Sequence, residues 1–454
     1  MSKKKFSYDS LSDLREAIEA RNLEIPLRED VEPLTRPFRV KEKEVPNAFC
    51  ANPMEGRDGK EDGGPGELTF RKYRRLAEGG AGIIWIEATA VNEEGKSHPR
   101  QLHLNEDSAR GFKKLVRTIR ENALDSRGDP RQPLVILQLT HSGRHSNPEG
   151  RPRPIIAHHS RVYDAPHEID SDHSVISDEK LDELQGEFLT ACELAQACGF
   201  DGVDVKACHG YLIHELLFSY RRDDSRYGGS FEDRTRFLCQ LVEKIGKEFP
   251  DLLVTTRLNV YDGVARPWGW GTASEGELDR WGLVEHDLSE PAALIRKLKE
   301  RGVELVNLGI GNPYYNPHLE RPYDSPTAGG ELPAQHPLEL IAKNLEVTSE
   351  LADQVSDVRL IGTGLSWLRQ FYPYVASAMS EKGWIDSIGV GRGSLANPQF
   401  ANHLLEKGKL AEDEVCITCS SCSQMMKDGV KVGCVVRDSQ MYRPIYQKGR
   451  EERG

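Results

Sequence analysis

Residues 202–205, Gly-Val-Asp-Val, run straight into Cys208-His209-Gly210-Tyr211. A short apolar run thus delivers a histidine and a tyrosine, two positions apart, into a loop. Both side chains handle protons, one near neutral pH and one near pH 10, so the pair suits acid–base work on something bound at that strand end. A second cluster lies near the C-terminus. In CITCSSCSQMMKDGVKVGC, Cys416, Cys419, Cys422 and Cys434 have two, two and eleven residues between them. Three close cysteines and one distant one fit an iron–sulfur cluster better than a zinc ribbon, which prefers two separated pairs. Cys50, Cys192, Cys198, Cys208 and Cys239 are scattered among apolar neighbours and read as plain buried thiols.

Positioning these groups takes a scaffold, and the chain is long enough to build one. With 454 residues, 38% hydrophobic and 29% charged, it reads as globular. A net charge of −12 argues against nucleic-acid or anionic-membrane partners. No apolar run approaches the ~20 residues of a membrane span. The opening MSKKKFSYDSLSD is basic but lacks the apolar core of a signal peptide, so a cytoplasmic protein is expected. In that compartment a cysteine cluster points to metal before disulfide.

Strands are predicted over 48–53, 82–88, 134–139, 202–205, 252–257, 305–310, 358–362 and 387–391. Each is apolar without clean alternation, as in parallel strands buried on both faces. Between them lie amphipathic helices such as 178–198, with Ser177 as N-cap and Gly199 as the C-terminal stop. Eight strands in regular βα alternation predict an α/β fold, a (β/α)8 TIM barrel. The expected division is an N-terminal extension over 1–46, the barrel over 47–408 and a short C-terminal cysteine-rich segment over 409–454. The barrel is expected to be complete before Cys416. The longest loops, 142–176, 259–289 and 311–336, follow strands and so gather at the C-terminal face, where barrel active sites form. The tryptophan-rich second of these reads equally as a lid or as an ordered surface insertion. No Gly-x-Gly-x-x-Gly follows a strand, so a Rossmann nicotinamide domain is not supported.

Strand ends carry the next signal. Gln138, Arg257 and Gly391-Arg392 close three strands, and Gly362-Thr363-Gly364 closes the seventh. An amide, two arginines and glycine turns in the last two βα units make a hydrogen-bonding, anion-friendly mouth suited to a phosphorylated cofactor.

These residues sit in recognisable motifs. NPMEGRDG (52–59), GGAGIIWIEATAVNEEG (79–95), QLTHSGRHS (138–146), HGYLIHELLFSYRRDDSRYGGSFEDRTRFL (209–238) and GVGRGSLANPQF (389–400) resemble the Old Yellow Enzyme family of FMN-dependent oxidoreductases. The resemblance spans roughly 47–405. It implies FMN held by Asn52, Pro53, Met54, Glu55, Ala88, Gln138, Arg257, Gly364, Gly391 and Arg392, with NAD(P)H as electron donor. Gln138 would bond the pyrimidine edge of the flavin, Arg257 would sit by N1 and O2, and Gly391 and Arg392 would hold the phosphate. His209 would help hold a substrate carbonyl, and Tyr211 would protonate the carbon opposite hydride delivery. Two positions depart from the family. Lys206 stands where histidine is usual and gives an oxyanion a point charge rather than a ring. Glu55 stands beside the flavin where a small thiol or hydroxyl is usual, and is free to bind a substrate amine or to pair with Lys206.

The cysteine segment resembles the [4Fe–4S] segment of the branch containing 2,4-dienoyl-CoA reductase and trimethylamine dehydrogenase. In that branch the cluster relays electrons to a C-terminal nucleotide-binding module. Only 20 residues follow Cys434 here, so a separate reductase or electron carrier is the expected partner, unless NAD(P)H reduces FMN directly. Three activities follow from the resemblance: reduction of an activated alkene, oxidation of an amine, or electron transfer as a subunit. The first is the leading expectation. A small-molecule substrate is expected, and a homo-oligomer remains open.

Overall fold

The computed structural model describes residues 5–124 and 129–452, so the first four residues of the basic start lie outside it. Eight parallel strands form the barrel. They are β1 (Phe49–Ala51), β2 (Ile83–Ala90), β3 (Leu134–Thr140) and β4 (Gly202–Val205), then β5 (Leu253–Tyr261), β6 (Leu305–Ile310), β7 (Arg359–Gly362) and β8 (Ser387–Val390). Each pairs with the next, and the ring closes through β8 and β1, with Ile388 opposite Phe49 and Val390 opposite Ala51. Every strand residue except Arg359 is buried, which explains the missing alternation in the sequence. Three strands run past their predicted ends, to Ala90, Thr140 and Tyr261. Two of the extensions pass through register irregularities, at 86–89 and 259–261, which re-aim side chains at the barrel mouth.

The lumen divides into an apolar half and a polar half. Cys50, Ile83, Trp85, Leu134, Ile136, Leu253, Leu305 and Ile361 pack as one buried cluster. Ile83, Leu134, Leu253 and Leu305 open their strands, so the cluster fills the N-terminal end. A hairpin of Phe38–Val40 and Lys43–Val45 adds Val40 and Val45 to it and plugs that end. Apolar packing below confines the polar side chains to the C-terminal mouth.

Helices cover the outside. The helix Asp178–Cys198 has the predicted caps: Ser177 Oγ accepts the N–H of Lys180 at 3.3 Å, and Gly199 ends it with φ +89°. The 259–289 loop proves to be an ordered insertion. Trp268 and Trp270 are buried, short bridges such as Thr272 to His286 tie it together, and it adds no side chain to the central cavity.

The cysteine-rich segment builds a small core of Met425, Val432, Val435 and Tyr442. It is tied to the barrel through Asp438, which accepts from Arg71 at 2.6 Å and Arg75 at 2.7 Å, and through the Val432 N–H, which donates to the Gly56 carbonyl at 2.9 Å. Among the described residues, no helix is long and apolar enough to cross a membrane.

Trp85 carries the largest side chain of the lumen cluster and is fully buried. Trp85→Ala is expected to lower unfolding free energy by about 3–5 kcal/mol, read by denaturant melts. A loss below about 1 kcal/mol would mean the lumen closes over the gap.

Candidate active site

A carboxylate organises the barrel mouth. Asp204 lies in β4, fully buried. Its Oδ2 accepts from Trp85 Nε1 at 2.8 Å and from Gln138 Nε2 at 2.6 Å, and its Oδ1 accepts the Arg257 backbone N–H at 2.6 Å. One buried side chain therefore sets β2, β3 and β5 relative to one another at the site floor. It also leaves the Gln138 carbonyl and one amide N–H for a ligand. Burial pushes the Asp204 carboxyl up to about 6, so it is ionised at neutral pH.

The loop after β1 is fixed by a second buried acid. Glu87 accepts from Lys72 Nζ at 2.6 Å and from the Gly56 N–H, and Lys72 also donates to the Met54 carbonyl at 2.7 Å. Asn52 Oδ1 accepts from Asn307 Nδ2 at 3.0 Å. A side chain at 389 would come within 2.5 Å of Asn52, so glycine is needed there. Gly364 turns the chain after β7 at φ +90°, a conformation that glycine adopts freely.

All the barrel residues singled out from the sequence, from Asn52 to Arg392, line one cavity of about 560 Å³. Arg257 and Arg392 are nearly buried in its wall, and Arg257 Nε and Arg392 Nη1 have no protein hydrogen-bond partner. Buried guanidinium donors without an acceptor are costly, and an anionic ring edge and a phosphate would satisfy them. The cavity thus fits FMN in both its volume class and its donor set.

Above this floor sits the proton-handling loop. His209 and Gly210 both adopt left-handed conformations, at φ +67° and +70°. The turn is held by the Gly210 N–H, which donates to His214 Nδ1 at 2.9 Å, while His214 Nε2 lies 3.1 Å from Asp262 Oδ1. A non-glycine residue in this region is strained and needs such over-determination. Tyr211 is 1% exposed. Burial, then the neighbouring Tyr314, raises its phenol well above the usual range. Lys206 Nζ lies 3.5 Å from the Tyr211 ring centroid, and burial lowers its ammonium pKa.

His209 Nε2 lies 3.0 Å from Glu320 Oε1. Burial brings His209 down to about 3 and keeps it neutral at pH 7. Burial would raise Glu320, but His209, Arg257 and Arg321 outweigh it and hold the carboxyl at about 2. The expected option of a Glu55–Lys206 pair gives way to another arrangement. Glu55 accepts from Ser97 Oγ at 3.1 Å and lies 3.8 Å from Arg57 Nε, because the loop after β1 turns its acid toward the 96–98 segment.

Sequence reasoning missed several wall residues. Asp204, which lies behind the wall rather than in it, was visible as the one charge in an otherwise apolar strand. Tyr314, Glu320 and Arg321 come from the loop after β6, where no periodicity marks them. The eight barrel strands close before Cys416, as expected, but Ser423, Met426 and Lys427 also line the cavity, so the site draws on residues beyond the barrel. The cysteine segment closes one side of the site.

Cys416, Cys419, Cys422 and Cys434 surround a separate small cavity, and Arg392 lines both cavities. The Thr418 N–H donates to Cys416 Sγ at 3.4 Å and the Arg437 N–H to Cys434 Sγ at 3.3 Å. Left-handed Thr418 and Ser420, at φ +51° and +57°, wrap the loop around the sulfurs.

A closed parallel barrel whose C-terminal mouth carries an amide, two nearly buried guanidinium groups and glycine turns fits the class of flavin-binding barrel oxidoreductases. Comparison with known proteins identifies the family within that class. The model of the NADH:flavin oxidoreductase / NADH oxidase family matches residues 33–269, and the chain belongs to that family. It is an oxidoreductase of the Old Yellow Enzyme type, for which FMN and NAD(P)H are the supported cofactors. An NADPH dehydrogenase of Bacillus subtilis (strain 168) is 29% identical over 282 residues, covering 61% of this chain and 73% of that protein. Among solved structures, a 2-naphthoyl-CoA reductase complex superposes with a TM-score of 0.68 at 20% identity, over 89% of this chain and 57% of that one. Histamine dehydrogenase from Rhizobium sp. 4-9 superposes at 0.66 and 19% identity, over 92% and 53%. The chain therefore spans little more than half of these two longer proteins.

The Asp204 carboxyl yields a signed pH dependence. Below its unfolded value of 3.8 it is protonated in both states. Between there and about 6 only the unfolded chain has released the proton, so the folded state loses ground as pH rises. Asp204→Asn is expected to remove about 3 kcal/mol from the fall in stability between pH 4 and pH 7, measured by denaturant titration at each pH. Identical pH profiles for parent and variant would place the raised group elsewhere.

Proposed function

We propose that the protein reduces activated, α,β-unsaturated alkenes and that Tyr211 supplies the proton. FMN, reduced by NAD(P)H, supplies the hydride when bound. The carrying observation is Tyr211 itself: a buried phenol, protonated at neutral pH, in the wall of the cavity that Gln138, Arg257 and Arg392 equip for the flavin. His209 and Lys206 line the same wall; Lys206 polarises the substrate carbonyl, while His209, its Nε2 on Glu320, shapes the place where that carbonyl sits. The Lys206 ammonium over the Tyr211 ring also stabilises the phenolate that proton donation leaves. Arg257 offers fixed positive charge where negative charge gathers on reduction.

A second reading is oxidation of an amine. Two carboxylates, Glu55 and Glu320, share the cavity wall with the Tyr211 and Tyr314 rings, a lining suited to a cation. The fold likeness to histamine dehydrogenase accompanies it. Anaerobic reduction with NADH and NADPH, followed by cyclohexenone, tests the first reading. Amines added to the oxidised protein test the second.

The same reading assigns Cys416, Cys419, Cys422 and Cys434 to a [4Fe–4S] cluster. Two backbone N–H groups aimed at sulfur support it, as such hydrogen bonds tune clusters. Among the described residues, no three of these sulfurs lie within 4.8 Å of one another, whereas sulfurs around one zinc at ~2.3 Å stand about 3.8 Å apart. A cytoplasmic location, the three-part division at residues 46 and 408, and an electron-carrier partner for the cluster belong to this proposal.

Tyr211→Phe is expected to leave FMN reduction by NAD(P)H unchanged and to slow reoxidation by an enone about 10²–10⁴-fold. Parent-rate enone reduction in this variant would remove Tyr211 from the chemistry. Cys434→Ser is expected to lose about four irons and four labile sulfides per chain. Because Ser423, Met426 and Lys427 wall the main cavity, it is also expected to weaken FMN binding. Stoichiometric zinc without iron in anaerobic protein would refute the cluster.

A further inference from the structure

A buried proton donor must be reloaded before it can act again. Tyr211 is 1% exposed, and a substrate over the flavin would shut it further from water. Its hydroxyl lies 3.2 Å from the hydroxyl of Tyr314, whose residue is 49% exposed. The rings are stacked at 26°. Tyr314 also stacks on His145, centroids 3.9 Å apart at 23°, with His145 itself 5.6 Å from the Tyr211 ring, and the Tyr314 backbone N–H donates to Asn312 Oδ1 at 3.0 Å. His145 is in turn 3.1 Å from His167, Nδ1 to Nε2. Tyr314 is thus held with its hydroxyl against the donor while part of it faces solvent. The neighbouring Ser97 hydroxyl is buried and donates to Glu55, so it opens no route outward. Lys206 Nζ lies over the Tyr211 ring, which favours phenolate without supplying the proton.

We propose that Tyr314 relays protons from solvent to Tyr211 and so reloads the buried donor between turnovers. This rests on the ene-reduction reading. As the substrate C–H bond forms, the Tyr211 O–H bond breaks and leaves a phenolate. The Tyr314 proton then crosses to Tyr211, and the Tyr314 phenolate takes a proton from water, leaving hydroxide to the buffer. No electrons move in these steps, and the net transfer is one solvent proton per alkene reduced. Two phenols suit the Tyr314-to-Tyr211 transfer because donor and acceptor have matched chemistry, and a buffer acid that takes up the hydroxide draws the second step forward.

Tyr314→Phe keeps the ring and its stack on His145 and removes only the relay hydroxyl. In stopped-flow with the reduced holoenzyme and 2-cyclohexenone, its first turnover is expected to match the parent, because Tyr211 starts protonated. Steady-state turnover is then expected to fall about tenfold or more, giving a burst of one product per site. Imidazole buffer, a small diffusible acid, is expected to restore the steady rate. Parent-like steady turnover without a burst overturns the relay. So does a first turnover slowed as much as the steady state, which would make Tyr314 a substrate-positioning group. A parent protein that reduces no alkene sinks the ene-reduction reading and the relay together, whereas an active parent with a burst-free variant sinks the relay alone.

Discussion

The mouth of this barrel depends on one fully buried carboxylate. Asp204 accepts hydrogen bonds from the Trp85 indole, the Gln138 amide and the Arg257 backbone, so three strands are registered on a single side chain. Such a group is tolerated in a parallel barrel only when fully satisfied. Satisfying it fixes the amide edge and the strand bearing the guanidinium. The apolar cluster beneath, closed by Val40 and Val45, keeps water from competing from the other end. Precision at the cavity floor therefore comes from packing below and a saturated acid at mid-height, rather than from the loops.

The loops supply what the strands cannot. The turn at His209 and Gly210 is held in left-handed geometry by His214 and Asp262, and the loop after β6 brings Tyr314 and Glu320 to face it. Acids and bases of opposite tendency then share one small volume: a neutral imidazole, an ionised Glu320, a phenol kept protonated and an ammonium made more acidic by burial. Environments that push titrating groups apart are what a proton-transfer site requires.

Much of this was legible in the sequence. The strand 305–310 was predicted and observed with the same ends, because a parallel strand buried on both faces is an uninterrupted apolar run between turn residues. The residues expected to hold flavin converge on one cavity because they sit at strand ends, which a barrel brings together automatically. The plugging hairpin was not legible, since its three-residue strands carry too little periodicity. Nor was the partnership of Asp204, whose bonds cross to residues 66 and 119 positions away. Glu320 lies in a loop without pattern, and the reach of Ser423 and Met426 into the main cavity is set by docking contacts such as Asp438 with Arg71, which neither segment signals alone.

Arg392 is a wall common to two chambers, the main cavity and the space among the four cysteines. Its guanidinium is nearly buried, with one nitrogen on the Pro322 carbonyl and another unpartnered, so its charge is poorly screened in both directions. Negative charge entering either chamber competes for the same cation. By thermodynamic reciprocity, whatever one occupant gains or loses from the presence of the other is returned in equal measure. The two chambers are thus one coupled electrostatic system, and neither occupant has an affinity that can be stated without the state of its neighbour.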